Sequence, residues 1–235
     1  HGSEVFVAGD RGDAGAVLSV TEGEIGWEEL VTATGRVQIH AVAAAPERLA
    51  IAGSVEGALD GGVDTGDLPN AFVALMTRTG ELSWLEILAS EGHGLATSVA
   101  FVGDDVVVGG RYDGAAAVGG VQLEDGFSDD AFVMRLGSDG TLRWVNEYPG
   151  SGADLVSAIV VNDDIVVTGA FSGNIDLGAG LVATAECEDV FVLRLDDDGN
   201  HVASQTLGGL KPQIATSLAL AGDVVVVAGQ FVGRA

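Results

Sequence analysis

A single nine-residue pattern, repeated along the chain, narrows the fold more than any other feature. It reads LAIAGSVEG at 49–57, VVVGGRYDG at 106–114, IVVTGAFSG at 165–173 and VVVAGQFVG at 225–233, with a shortened VFVAGDRG at 5–12. Its first glycine falls at Gly53, Gly110, Gly169 and Gly229, in steps of 57, 59 and 60 residues. Two further markers keep the same step. The motif G-x-L/I-x-W places Trp27, Trp84 and Trp144 at intervals of 57 and 60, and the equivalent position in the next unit is Ala203. An FV pair after a small or acidic residue recurs at Phe72, Phe132 and Phe191. Side chains that return in register at a fixed period mark a repeat architecture, in which each unit buries its apolar face against its neighbours.

The composition of each unit selects strands. Hydrophobic residues make up 47% of the 235, glycine is abundant at 36, and proline occurs four times. Short Val-rich runs separated by Asp-Gly and Gly-x turns favour β-hairpins, because glycine supplies the positive φ such turns need. Residues 154–209 show this best. VSAIVV (156–161), IVVTGAF (165–171), VFVLRL (190–195) and HVASQTL (201–207) read as four strands. A glycine-containing loop separates the second from the third. The same four strands are expected at 39–90 and 96–149. Residues 4–33 hold the second to fourth strands only, and 214–233 the first two, TSLALA and VVVVAGQF. The total expected is 17 strands. Four antiparallel strands repeating at about 58 residues predict an all-β fold, a β-propeller of four-stranded blades.

The repeated residues have expected duties. The glycine should end the second strand where a side chain would collide with the neighbouring blade. The tryptophan should pack between blade faces. Ser98, Ser157 and Ser217, with Ala41, align as small residues on the innermost strand. Two incomplete end units do not fit a four-bladed ring cleanly. The expectation is a longer propeller with unpaired edges at both ends, rather than closure of 216–221 onto 5–10. The first residue is not Met, so a processed product or excised segment is expected, and His1-Gly2-Ser3 reads either as a cloning scar or as a natural lead into the first strand.

The pattern FVxxL…G-x-L-x-W…D-x-V-V-V-G-x-F-x-G…D-x-G-x-G resembles the bacterial β-propeller repeat known as the SBBP repeat. Residues 131–180 match it best, including Ile175-Asp176-Leu177-Gly178-Ala179-Gly180. The resemblance spans essentially the whole chain and implies a secreted or cell-surface bacterial propeller with no catalytic residues to carry over. Thr79-Gly80-Glu81-Leu82-Ser83-Trp84 is also similar to part of the tryptophan-docking repeat of quinoprotein propellers, whose longer signature it meets incompletely.

Charge excludes several functions. Thirty-five acidic residues against ten basic ones give a formal −25, with Lys211 the sole lysine. Such a field repels phosphate backbones and anionic membrane surfaces, so nucleic-acid binding is not expected. No apolar run reaches the length of a membrane span.

Sites of chemistry are sparse. Asp196, Asp198 and Asn200 offer alternate oxygens suited to calcium, yet a full calcium loop carries more ligands, and a hairpin turn is the expected reading. Asp129-Asp130 and Glu188-Asp189, with Pro69-Asn70 in a third unit, precede the third strand and are expected to accept backbone N–H groups. His1, His40, His93 and His201 lack zinc-ligand spacing. Cys187 stands alone in an acidic loop that disfavours a thiolate. No G-x-S-x-G elbow, phosphate loop or dinucleotide fingerprint occurs, so neither catalytic residues nor a cofactor are assigned. The expectation is an extracytoplasmic, non-catalytic scaffold that binds a protein or polysaccharide, or further blades of the same protein. The alternative is a lyase or glycoside-cleaving propeller with its site at the axial mouth.

Overall fold

The computed structural model describes residues 4–22, 24–59, 65–124, 128–180, 182–222 and 224–232. His1, the 1–3 segment, Leu181 and Gly233 lie outside them. The described chain is all-β, with nineteen strands in five antiparallel sheets. The first sheet holds β1 (Glu4–Arg11), β2 (Ala14–Thr21) and β3 (Glu24–Val31). The second is built on β4 (Val37–Ala44), β5 (Arg48–Val55), β6 (Asn70–Thr77) and β7 (Leu82–Ser90). The third begins with β8 (Gly94–Val102) and β9 (Asp105–Tyr112). The chain then makes a small hairpin, β10 (Ala116–Val118) and β11 (Val121–Leu123), which adds to the outer edge of the second sheet. It returns for β12 (Asp130–Leu136) and β13 (Leu142–Tyr148). The fourth sheet is β14 (Leu155–Val161), β15 (Ile165–Asp176), β16 (Val182–Leu195) and β17 (His201–Leu207). The last is β18 (Gln213–Ala221) and β19 (Val224–Phe231).

The expected seventeen strands are all present, and the hairpin β10–β11 adds two more. β15 and β16 also run past the predicted ends, because the glycine loop is itself a paired hairpin joining Gly173–Asp176 to Val182–Ala185. β18 pairs only with β19, and β1 only with β2, so 216–221 does not pair with 5–10.

Successive sheets pack face to face, and the sequence shows why. Along a central strand, alternate side chains enter two different cores. Val106 and Val108 face the second sheet, whereas Val107 faces the fourth. Leu49 and Ile51 face the first sheet, whereas Ala50 and Ala52 face the third. A strand apolar on both faces therefore reads as a continuous run, not an alternation. Three cores result, one at each junction from the first sheet to the fourth.

The repeated glycine has a different duty from the one expected. It sits inside the second strand, opposite a one-residue bulge in the first strand of its own sheet. The bulges fall at His40, Thr97, Ser157 and Thr216. Each forces a carbonyl toward the facing glycine. A Cβ at Gly53, Gly110, Gly169 or Gly229 would overlap the carbonyl oxygen of Gln38, Leu95, Leu155 or Ile214, respectively. The collision is thus with the first strand of the same sheet, not with a neighbouring sheet. Ser157 occupies the bulge and matches Thr97, so it lies one position away from the alignment with Ser98 and Ser217.

Tryptophan joins one sheet to the next. Trp84 Nε1 donates to the Ser138 carbonyl at 3.0 Å, and Trp144 Nε1 to the Asp197 carbonyl at 3.0 Å. The indoles of Trp27, Trp84 and Trp144 lie over Gly80, Gly140 and Gly199, where a Cβ would meet ring carbons at 2.8–3.2 Å. These glycines have φ of +91°, +83° and +81°. Each belongs to the following unit's G-x-L/H-x-W/A motif, so one copy's glycine receives the previous copy's tryptophan. Ala203 precedes a sheet that has no third and fourth strands among the described residues, and so has no turn to cover.

Candidate functional site

The acidic and polar residues ahead of each third strand act as latches. Asn70 Oδ1 accepts the Ser90 N–H, Asp130 Oδ1 the Gly150 N–H at 3.4 Å, and Asp189 Oδ1 the Gly209 N–H at 3.2 Å. All three polar side chains are buried. Asn70 and Asp130 start their third strands and Asp189 takes the same place inside the longer β16, so in these three sheets that residue fixes the chain where the fourth strand ends. Asp129 pairs with Arg111 and accepts the Asp154 N–H on its backbone carbonyl at 2.8 Å.

Asp154 departs from the repeat. Its counterparts are Val37, Gly94 and Gln213, whereas here a carboxyl group is 1% exposed. Burial pushes this group up to about 8; the Ser172 N–H, at 3.3 Å from Oδ1, pulls it down, and Asp130 and Asp129 push it further up. A carboxyl in this setting keeps its proton near neutral pH.

The Asp196–Asn200 turn is closed on itself. Asp196 Oδ1 accepts the Asp198 and Asn200 N–H groups at 3.0 and 2.8 Å, and Oδ2 accepts Asn200 Nδ2 at 3.0 Å. Those bonds, the Asn200 side chain first, hold the Asp196 carboxyl below the usual range. Its oxygens are spent on the turn, and Asn200 acts as a donor. Among the described residues no group of three or more His, Cys, Asp or Glu side chains gathers to hold a metal. His40 lies on β4 and His93 in the connection from β7 to β8, its Nδ1 3.5 Å from Asp113 Oδ2. Cys187 is half-buried, its Sγ 3.9 Å from the Leu210 carbonyl.

The feature that the sequence reading missed is a groove of about 680 Å³ between the third and fourth sheets, on their outer flank. One wall is β13, with Asn146, Glu147 and Tyr148. The other is the turn into β17, with Asn200 and His201. Glu124, just after β11, closes one end. Glu147 Oε2 is held by the Tyr112 hydroxyl at 2.8 Å and the Glu124 N–H at 2.7 Å. Burial, then the bond to Glu147, raises the Tyr112 phenol far above its ordinary range, so it remains a donor at any physiological pH. Asn146 Nδ2 donates to the Gly199 carbonyl at 2.6 Å and ties the two walls together. His201 Nε2 lies 3.0 Å from Ser204 Oγ.

Comparison across units shows what is special here. Counting from Trp84 and Trp144, Glu147 replaces Ile87 and Asn146 replaces Glu86; counting from Gly140 and Gly199, His201 replaces Leu142. At the earlier junction Leu142 packs beside Gly119, and Glu86 accepts the Gly119 N–H at 3.0 Å. There the small hairpin seals the flank. At the later junction two apolar positions have become ionisable and line the groove. The signal was present in the sequence as a break in the repeat, but reading it requires knowing that positions 147 and 201 line the same groove.

No protein-family model matches the chain, and no curated protein matches it. Among solved structures, the chain is similar to a protein of unknown function from Bacteroides caccae, at 12% identity and a TM-score of 0.47, covering 93% of this chain and 79% of that one.

Proposed function

We propose that these residues are blades of an SBBP-type β-propeller that acts outside the cytoplasm as a non-catalytic recognition scaffold. Its binding surface is the flank groove between the third and fourth sheets. Support for the propeller reading comes from the repeat of about 58 residues and from the succession of first strands, β4 on β8, β8 on β14 and β14 on β18. The observation that carries the binding role is the replacement of Ile87 and Leu142 by Glu147 and His201 in a unit that otherwise keeps the repeat's fastenings. Ionisable groups stand here where the preceding unit packs apolar side chains, which supports a use beyond the hydrogen bonds that Glu147 accepts from Tyr112 and Glu124.

The chemistry narrows the partner. A chain of net charge −25 with carboxylates in the groove disfavours anionic polymers. The partner is a neutral or cationic polysaccharide or polypeptide segment, held by Glu147, Asn146, Asn200 and His201 as hydrogen-bonding groups. Ser204 Oγ lies 3.0 Å from His201 Nε2, so the test also reads turnover. The test restores the repeat: the double variant Glu147→Ile, His201→Leu against wild type on a panel of β-glucan hexamer, chitosan hexamer and oligolysine. Retention of at least one probe by wild type, at least tenfold weaker for the variant with its β-sheet circular dichroism retained, is expected; the variant melts lower, since the Tyr112 hydroxyl and the Glu124 N–H lose the Glu147 carboxylate. Equal binding by both proteins, or products released from either glycan, would overturn the proposal.

A further inference from the structure

The groove between the third and fourth sheets has committed most of its hydrogen-bond donors inside the protein. Asn146 Nδ2 is held by the Gly199 carbonyl at 2.6 Å, Asn200 Nδ2 by Asp196 Oδ2 at 3.0 Å, and the Tyr112 hydroxyl by Glu147 Oε2 at 2.8 Å. His201 Nε2 is shared with Ser204 Oγ. Acceptors remain. Among the described residues, Glu147 Oε1, the Glu124 carboxylate, and Oδ1 of Asn146 and of Asn200 have no hydrogen-bond partner within the chain. The charge is unbalanced in the same direction. Glu4, Asp104, Asp105 and Asp164 are matched by Arg78, Arg48, Arg135 and Arg194, respectively. Glu147 and Glu124 join no ion pair among the described residues, and neither Lys nor Arg stands among those that line the groove. Two neutral donors, the Tyr112 hydroxyl and the Glu124 N–H, fix one oxygen of Glu147 and leave the other open. A fixed carboxylate in a groove of acceptors is complementary to a cation that donates hydrogen bonds.

We propose that this cation is the ammonium of a lysine side chain on a partner polypeptide, seated against Glu147. The inference rests on the groove being the binding surface and names what enters it. Three features select lysine. With Glu147 Oε2 already taken, a planar guanidinium cannot grip the carboxylate through both oxygens, whereas an ammonium is a compact charge whose three N–H groups turn to separate acceptors. Val145, Pro149 and Leu177 also line the groove, and a four-carbon stem covers such surface while its head reaches the carboxylate. A sugar ring carrying an amine would instead press hydroxyls against those apolar walls. The aromatic residue in the lining, Tyr148, is 3% exposed and offers a sugar no face to stack on.

The probes are capped hexamers of lysine, Nε-acetyl-lysine and arginine, with chitosan hexamer as the same amine on a sugar. Each is titrated into the nitrogen-15-labelled chain of 235 residues. Hexalysine should shift the amides of Asn146 and Glu147 and saturate. Acetylation removes the charge and two of the three donors, and should weaken binding at least tenfold, an arm that needs no variant to fold. Hexaarginine and chitosan should bind at least threefold more weakly than hexalysine. Glu147→Gln keeps an oxygen for the Tyr112 hydroxyl and should weaken hexalysine at least tenfold. Glu81→Gln removes an equal charge from an exposed turn between β6 and β7, and should change it less than twofold. Equal binding of free and acetylated hexalysine, or equal losses from the two variants, would overturn the ammonium contact even where shifts at Asn146 and Glu147 show the groove occupied. Tighter binding of hexaarginine or chitosan would overturn lysine as its source. No shift at those two amides with any probe would overturn the groove reading and this inference together.

Discussion

Replacing Gly110 with alanine puts a methyl group where the Leu95 carbonyl oxygen already lies, with the Ala96 Cα only 2.9 Å away. Neither obstacle is the end of a flexible side chain. Relief requires the edge strand β8 to separate from the buried β9 at the Ala96–Gly110 pair. Overpacking of a dense interior costs about 1–3 kcal/mol, and the weakened pairing beside the bulge adds about 1 kcal/mol. Against this, alanine narrows the unfolded ensemble by about 0.4–1 kcal/mol. The net expectation is a loss of about 1–3.5 kcal/mol, or roughly 2–14 °C in Tm for a chain of this length. Urea unfolding followed by tryptophan emission measures it, with the slope unchanged if the native state is retained. Gly110→Ala within about 0.5 kcal/mol of wild type would refute the bulge argument.

Three other outcomes follow from named contacts. Asp154 is protonated in the fold up to about 8 but ionises near its ordinary value of 3.8 when unfolded, so the native state binds the extra proton and stability falls as pH rises between those values. Asp154→Asn should therefore raise Tm progressively from pH 4 to 8 and give no gain below pH 4; a gain constant with pH would contradict the assignment. Trp144→Ala should lose about 2–3 kcal/mol, less than the ~3–5 kcal/mol of a fully buried aromatic, in thermal or urea melts, whereas Ala203→Trp should leave stability unchanged, because no described turn lies beyond it. Asp196→Ala should lower Tm by about 2–4 °C by opening its turn, and calcium should raise the wild-type Tm no more than magnesium at equal ionic strength; a calcium-specific rise would make Asp196, Asp198 and Asn200 a site.

The all-β class and the strand succession were legible because Gly53, Trp84, Phe72 and their copies keep one spacing, and periodicity survives any amount of surface change. The reason for the glycine was not legible. A bulge is a backbone event, and its residues here, His40, Thr97, Ser157 and Thr216, share no single side chain. Ser157 even mimics the wrong neighbour, since the step from the first strand to the glycine is one residue shorter in that unit. The hairpin at 116–123 has strands of three residues, too short to show a period. The polar latches at Asp130 and Asp189 were expected from turn chemistry and are present. The groove was not, because Glu147 and His201 are 54 positions apart and line one groove only once one sheet's fourth strand lies beside the next sheet's turn.

The central claim is that recognition happens at the flank between the third and fourth sheets. Its most direct test is a nitrogen-15 chemical-shift titration of the intact 235-residue chain with β-glucan hexamer, chitosan hexamer and oligolysine in turn. The account predicts that a binding probe perturbs the amides of Asn146, Glu147, Asn200 and His201, and leaves the corresponding Glu86, Ile87, Thr141 and Leu142 unmoved. Perturbations centred on the first strands β4, β8 and β14, or none with any probe, would contradict it.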